Sequence, residues 1–334
     1  MKVAIVGASG FTGLELIKII HTHAKFELSY VATTTGDTTI EKLHPALKDV
    51  VFGDVEKVDL DFIGKNCELV FLAVPHKTAM DLVSVLMDSG IKIVDLSADY
   101  RLELDTYVAN YCEHSDAKNI QNSAYGLPEL YSEDIKKAQL VANPGCYPTS
   151  ALLALMPFAK LLKTDAPIFI DAKSGVSGAG KKCADSTHFV TINENMFAYA
   201  PMNHRHGAEI TEKLGFLNGH ENKVHFVPHL VPVTRGMMAS VYLQLHDSVD
   251  AQKVLEDFYK DHYFVRICDE PVSMKQVAGT NFCDIYVKQE GNTLFLSSAI
   301  DNLLRGASSQ AVVNANLMAG FDAKLGIPVI AYAP

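Results

Sequence analysis

Among the 334 residues, the side chain best set up for covalent chemistry is Cys146, in the run Asn143-Pro-Gly-Cys-Tyr-Pro-Thr149. A strand is predicted over Ala138–Ala142 and an apolar helix from Ser150, to be ended or kinked by Pro157, so the thiol stands at a strand-to-helix turn. In an open parallel sheet such turns lie at the carboxyl ends of the strands, where ligands bind. A thiol near a helix N-terminus feels the positive end of the helix dipole, which favours the nucleophilic thiolate. Cys67, Cys112, Cys183, Cys268 and Cys283 have no comparable setting, and no C-x-x-C pair occurs. The opening MKVAIVGASG lacks a secretory leader, so reduced thiols and a cytoplasmic location are expected.

A second chemical feature opens the chain. Gly7-Ala-Ser9-Gly10-Phe11-Thr12-Gly13 follows an apolar strand, Lys2–Val6, and begins a helix that runs through His23. Backbone amides at such a helix start face a pyrophosphate, and glycine lets the phosphates come close. The spacing is G-x-x-G-x-x-G and departs from the usual dinucleotide fingerprint, so the strand–turn–helix context carries the assignment. An NAD site usually ends its second strand on Asp or Glu, bonded to the ribose 2′-hydroxyl. The strand Phe26–Ala32 instead runs into Thr33, Thr34 and Thr35, with no acid before Asp37. Hydroxyls donate to a 2′-phosphate that a carboxylate would repel, which selects NADP.

The elements around these features alternate. Strands at 68–75 and 91–97 with a helix at 78–87 continue the opening βαβ unit and imply a parallel sheet covered on both faces. After the Cys146 helix the pattern changes to longer strands beginning at Ile168, Val224, Met238, Tyr263, Asp284 and Thr293, with Glu290-Gly291-Asn292 as a hairpin turn. These predict a mixed or antiparallel sheet, and the last helix, Gly306–Gly320, is expected to return to the first domain. The fold class is α/β: a Rossmann dinucleotide-binding domain over 1–148 and 305–334, and an α+β domain over 149–304. A net charge of −10 argues against nucleic acid or an anionic membrane as partner, and no apolar run is long enough to span a bilayer.

Ordered motifs along nearly the whole chain resemble the N-acetyl-γ-glutamyl-phosphate reductases: Gly7–Gly13, Asp95-LSADYR-Arg101, Tyr125-GLPEL-Leu130, Asn143–Thr149, Ser174-GVSGAGK-Lys181, His204-RHGAEI-Ile210, Pro228–Gly236 and Ala299-IDNLLRG-Gly306. The resemblance implies a second domain of the aspartate-semialdehyde and glyceraldehyde-3-phosphate dehydrogenase type, and a homo-oligomer, dimer or tetramer, formed through that domain's sheet. It also implies reduction of an acyl phosphate, a step of arginine biosynthesis, by NADPH through a Cys146 thioester.

The same resemblance assigns supporting residues. Related semialdehyde dehydrogenases carry a histidine after V-P-V-x-x-G, where this chain has Met237, so the acid/base falls to His204 or His206, with His204 the first choice. The H-x-H spacing lacks carboxylate or cysteine partners for a metal, and none is expected. Arg101 matches the arginine that holds the acyl phosphate, unless it pairs with Asp95 or Asp99. Arg205 and, more weakly, Arg235 are further anion binders, Ser174 lines the site, and Asn302 bonds the nicotinamide carboxamide or forms a structural turn. Ala208 stands where proline is usual and Arg305 where lysine is usual. A longer aminoadipyl phosphate substrate and a non-catalytic dinucleotide-binding protein are the alternatives; one methylene discriminates by only about 1–3 kcal/mol. The threonines generate the first test. NADPH should exceed NADH in kcat/KM by at least about tenfold, roughly 1.4 kcal/mol. Thr34→Asp should shift the ratio towards NADH, and an unchanged ratio would place the 2′-phosphate elsewhere.

Overall fold

Apolar runs of the N-terminal part become the centre of a sheet in the computed structural model, which describes residues 1–333. The strands are β1 (Lys2–Val6), β2 (Glu27–Thr33), β3 (Thr38–Thr39), β4 (Asp54–Lys57), β5 (Leu69–Leu72), β6 (Lys92–Asp95), β7 (Ser123–Tyr125) and β8 (Leu140–Ala142). Their order is β3-β4-β2-β1-β5-β6-β8-β7, parallel throughout except for the β3–β4 pair. Helices on both faces leave the central strands dry: Val3–Val6 and Leu69–Leu72 are all buried. The first helix, Phe11–Thr22, turns Leu16, Ile17, Ile19 and Ile20 inward. Strands β3, β4 and β7 are additions to the sequence reading. They are two to four residues long and carry no apolar period, and sheet pairing rather than composition makes them extended.

The chain forms two compact units. The first comprises Met1–Pro144 and Ala307–Pro328. The expected last helix is found there as Ser308–Met318, buried along its whole length against the Phe11–Thr22 and Pro128–Lys137 helices and β6. A helix apolar on one side only would not tolerate this. Its polar side chains are accommodated by bonds, Gln310 and Asn314 donating to the Gly126 carbonyl and Ser308 to the Thr12 carbonyl.

The second unit comprises Gly145–Gly306 and the chain from Val329 onward. The breaks at 144/145 and 306/307 lie a few residues from the expected 148 and 305, and the residues after 328 group with the second unit. Its strands are β9 (Ile168–Gly175), β10 (Phe197–Ala198), β11 (Val224–Val231), β12 (Met237–Gln244), β13 (Val265–Ile267), β14 (Cys283–Glu290) and β15 (Thr293–Ile300), in the order β10-β11-β9-β12-β15-β14-β13. The sheet is mixed, as expected, and Gly291 at φ 59° closes the predicted β14–β15 hairpin with Glu290 opposite Thr293. Along β9 burial alternates: Ile168, Ile170 and Ala172 face inward and Phe169 is half-exposed. The helices Cys146–Leu155 and Arg205–Asn218 pack on this sheet, and Ala251–Tyr259 packs on β13 and β14. The last two helices were not read from the sequence, though Ile210/Leu214 and Ala251/Leu255/Tyr259 are buried at a spacing of four.

Two glycines of the first turn serve different ends. Gly7 has φ 88°, and a Cβ there would lie 2.3 Å from the Ala73 carbonyl oxygen. A Cβ on Gly13 would lie 2.6 Å from the Ala8 Cα, whereas one on Gly10 meets nothing closer than 3.9 Å. Gly13→Ala should therefore cost about 1–3 kcal/mol of stability despite alanine's better helix propensity. Gly10→Ala should cost no more than about 1 kcal/mol as a poorer cap, while weakening dinucleotide binding. Thermal melts and dinucleotide titrations of both variants separate the two roles, and equal melting temperatures would contradict the packing argument.

Candidate active site

The helix expected from Ser150 begins at Cys146 itself, with Gly145 as its N-cap. Pro148 fits the first turn because its missing N–H has no intrahelical partner there. No side chain caps this end and no acid stands in its first turn, so the positive end of the helix is left for the thiol. As Pro157 implied, the regular helix stops at Leu155. Cys146 is partly exposed, whereas Tyr147 and the residues beyond it to Leu155 are buried. The turn is fastened from two sides. The Gly145 N–H donates to Glu209 Oε1 at 3.0 Å, from a fully buried glutamate on the Arg205–Asn218 helix. Gly306 lies so close that a Cβ on it would fall 2.7 Å from the Cys146 Cβ.

The two histidines have different local roles. His204 is the N-cap of the Arg205–Asn218 helix, its Nδ1 accepting the His206 N–H at 3.1 Å. Its ring sits edge-on among Tyr147, Tyr199, Phe226 and His206. Burial, helped by the Arg205 charge, lowers its pKa to about 4. His206 occupies the first turn of the helix, with its ring 5.9 Å from that of Tyr147. The Tyr147 hydroxyl lies 2.9 Å from that of Tyr199 and donates to the His229 carbonyl at 3.3 Å. Burial holds both phenols neutral, Tyr199 pushed up to about 12 and Tyr147 raised further, with the neighbouring Tyr199 adding to the shift.

Ser174, Asn302 and Arg235 meet at the ends of β9 and β12. Ser174 is buried and donates to the Gly175 carbonyl. Asn302 accepts the Gly236 N–H through Oδ1 at 2.8 Å and donates through Nδ2 to Ser177 Oγ at 2.9 Å. Both ends of its amide thus bond within the turn. Arg205, the first residue of its helix, is exposed.

In the first unit the glycine-rich turn has the expected form. Gly10 caps the Phe11–Thr22 helix without a side-chain bond, and its first turn holds no acid, so its amides suit a pyrophosphate. Ser9 is exposed and Phe11 and Thr12 half-buried, while Thr33 is buried with Oγ1 accepting the Gly36 N–H. Thr34 and Thr35 are exposed. Arg101 is buried, donating Nε to the Asn143 carbonyl and Nη2 to that of Leu96. Burial and the nearby Asp99 carboxylate push Asp95 up to about 7. Among the described residues, no cluster of three His, Cys, Asp or Glu could hold a metal, and no helix is long and apolar enough to cross a membrane.

These two sites match known families separately and together. The semialdehyde dehydrogenase NAD binding domain family matches residues 2–138, and the semialdehyde dehydrogenase dimerisation domain family matches residues 146–302. An N-acetyl-gamma-glutamyl-phosphate reductase from Sulfurimonas denitrificans is 60% identical over 100% of this chain and 99% of its own. One from Sulfurovum is 57% identical over the full length of both. The chain belongs to the N-acetyl-γ-glutamyl-phosphate reductase family. It is an oxidoreductase with a nicotinamide dinucleotide-binding domain, and the family reaches a 41% identical relative from Methanococcus maripaludis. Aspartate semialdehyde dehydrogenase II from Vibrio cholerae, solved with ASA, shares the fold at 16% identity, with a TM-score of 0.75 over 96% of this chain and 98% of its own.

Glu209, Tyr147 and Tyr199 are the residues that the sequence reading missed. Glu209 stood three residues after His206 inside a quoted motif, a signal that was available; nothing local marked Tyr199. The His204 geometry yields a test by pH. Its folded pKa of about 4 lies below the ordinary 6.5, so the unfolded chain binds the proton more readily between these values. This contribution to stability is complete above pH 6.5 and is lost as pH falls towards 4. His204→Asn, which can still cap, should flatten that part of the stability–pH curve, and His204→Ala should also lose about 1 kcal/mol as a missing cap. An unaltered curve in the Asn variant would show that His204 is not the group that titrates.

Proposed function

We propose that the chain reduces N-acetyl-γ-glutamyl phosphate to the γ-semialdehyde and phosphate, using NADPH and a thioester on Cys146, in the cytoplasm. The observation that carries this reading is Cys146 as the first residue of an uncapped helix whose N-cap amide is held by buried Glu209. The thiolate adds to the acyl carbon, and the carbon–oxygen bond to phosphate breaks with its electron pair leaving on phosphate. NADPH, when bound, supplies the hydride that reduces the thioester. The carbon–sulfur bond then breaks, returning thiolate to Cys146 as the aldehyde forms.

We assign proton handling at the thiol and at the developing oxyanion to His206. His204 is engaged as a helix cap and its pKa is lowered to about 4, which makes it the poorer base, so this reading takes His206 of the two candidates. Gly7, Ser9, Gly10, Phe11, Thr12 and Gly13 hold the pyrophosphate, and Thr34 and Thr35 the 2′-phosphate. Arg101, fixed on two carbonyls, and exposed Arg205 supply positive charge for the substrate's phosphate and carboxylate, and Ser174 lines the site. Assembly is as a homo-oligomer through the second unit's sheet, within the stretch matching the dimerisation domain.

Cys146→Ser should keep the melting temperature and NADPH affinity yet lose essentially all reductase activity. Serine's hydroxyl lies several pKa units above a thiol, and dipole help of about 1 kcal/mol cannot close that gap. Iodoacetamide should label Cys146 ahead of the other cysteines, and His206→Asn, not His204→Asn, should shift the pH profile of that labelling. In reverse, arsenate should replace phosphate in oxidation of the semialdehyde. Substantial turnover by the serine variant would overturn the thioester.

A further inference from the structure

The segment between β2 and β4 carries a buried histidine to which the reaction gives no part. The His44 Nε2–H donates to the Ala8 carbonyl at 2.7 Å. A carbonyl oxygen can only accept, so Nε2 carries the proton. Ala8 lies inside the glycine-rich turn and is itself fully buried. It is fixed from two further sides. The Gly7 and Ala8 N–H groups both donate to the Ala32 carbonyl, at 3.0 and 3.1 Å. Gly13 packs on it so tightly that a Cβ there would fall 2.7 Å from the Ala8 carbonyl oxygen.

His44 is held in turn by its own backbone. It joins the Ile40–Leu43 helix to the 3-10 turn Pro45–Leu47. Its N–H donates to the Ile40 carbonyl at 2.8 Å, and its carbonyl accepts the Leu47 N–H at 2.9 Å. Ile40 and Leu47 are buried, the Ile40 N–H donates to the Gly53 carbonyl, and Thr38 and Thr39 pair with β4. The imidazole therefore stands on a fixed arm, and that arm begins at Thr34 and Thr35. A trans peptide points its C=O and N–H in opposite directions. The bond that draws the Ala8 carbonyl to His44 thus turns the N–H of the same peptide, that of Ser9, away from His44. Rotation of this one peptide would exchange the two groups and present a carbonyl oxygen where an N–H had been. An anion is attracted by N–H groups and repelled by a carbonyl oxygen, so a pyrophosphate at this turn depends on that orientation.

Resting on the reading of the glycine turn as the pyrophosphate site, we propose that His44 is a positioning residue for the dinucleotide: it fixes the Ala8–Ser9 peptide with its N–H, not its carbonyl, towards the phosphates. His44→Phe keeps an aromatic ring but has no donor. It should raise the Kd and the KM for NADPH about tenfold, with kcat and the KM for the acyl phosphate nearly unchanged. His44→Gln, whose amide N–H can reach the same carbonyl, should bring the Kd back to within about twofold of wild type. Adenosine 2′-monophosphate has no pyrophosphate and should inhibit the Phe variant and the wild type equally, whereas a general loosening of the arm would weaken it too. Should the Phe variant fail to fold, His44→Asn, too short to reach the carbonyl, carries the same expectations. An unchanged NADPH Kd without the donor, no rescue by Gln, or an equal loss of affinity for adenosine 2′-monophosphate would each overturn the proposal. Gly10→Ala separates it from the reading beneath it: if that variant also binds NADPH as the wild type does, the pyrophosphate is not held at this turn and that reading is the one that fails.

Discussion

The second unit turns on a carboxylate with no access to water. Asp301 accepts three backbone N–H groups and faces Arg235, so its charge is compensated by directed bonds in a place where an unpaired charge would cost several kcal/mol. Those bonds tie together three stretches far apart in the chain: the Val277–Gly279 turn, the entry to β12 and the segment from Asp301 to Gly306. Gly306 lies against the Cys146 Cβ, so that frame also backs Cys146. Glu209 does the same from the other side through the Gly145 amide. A side chain needed within tenths of an ångström of a reacting carbon is better held by such a frame than by a mobile loop.

Several rings around the Cys146 turn are kept uncharged by burial. Tyr147 and Tyr199 are held as neutral phenols and His204 as a neutral imidazole, all by burial.

Arg101 and Asn302 both have polar groups bonded by the surrounding backbone and turns. Arg101 reaches two carbonyls at the ends of neighbouring strands, and Asn302 spans a turn with both ends of its amide. Buried backbone groups must find partners, and a long polar side chain already inside the fold is the nearest supply. For Arg101 this also preorganises the guanidinium, whereas Asn302 has been taken over by the turn.

Sequence alone determined the parallel strands of the first unit, the glycine turn, the hairpin at Gly291 and the place of Cys146 at a strand-to-helix turn, because each rests on short-range rules of periodicity, turn geometry and helix ends. The helix start at Cys146, four residues earlier than expected, was already outside its reach. Prolines at 148 and 157 look alike in sequence, and only the one beyond the first turn breaks a hydrogen bond. The short strands β3, β4 and β7, the burial of Thr33 beside exposed Thr34 and Thr35, and the capping role of His204 were decided by tertiary structure. So were Glu209 beneath Gly145 and His44 against Ala8. In each case the deciding quantity is burial or a bond between residues distant in the chain, and no local pattern of residue types carries that information.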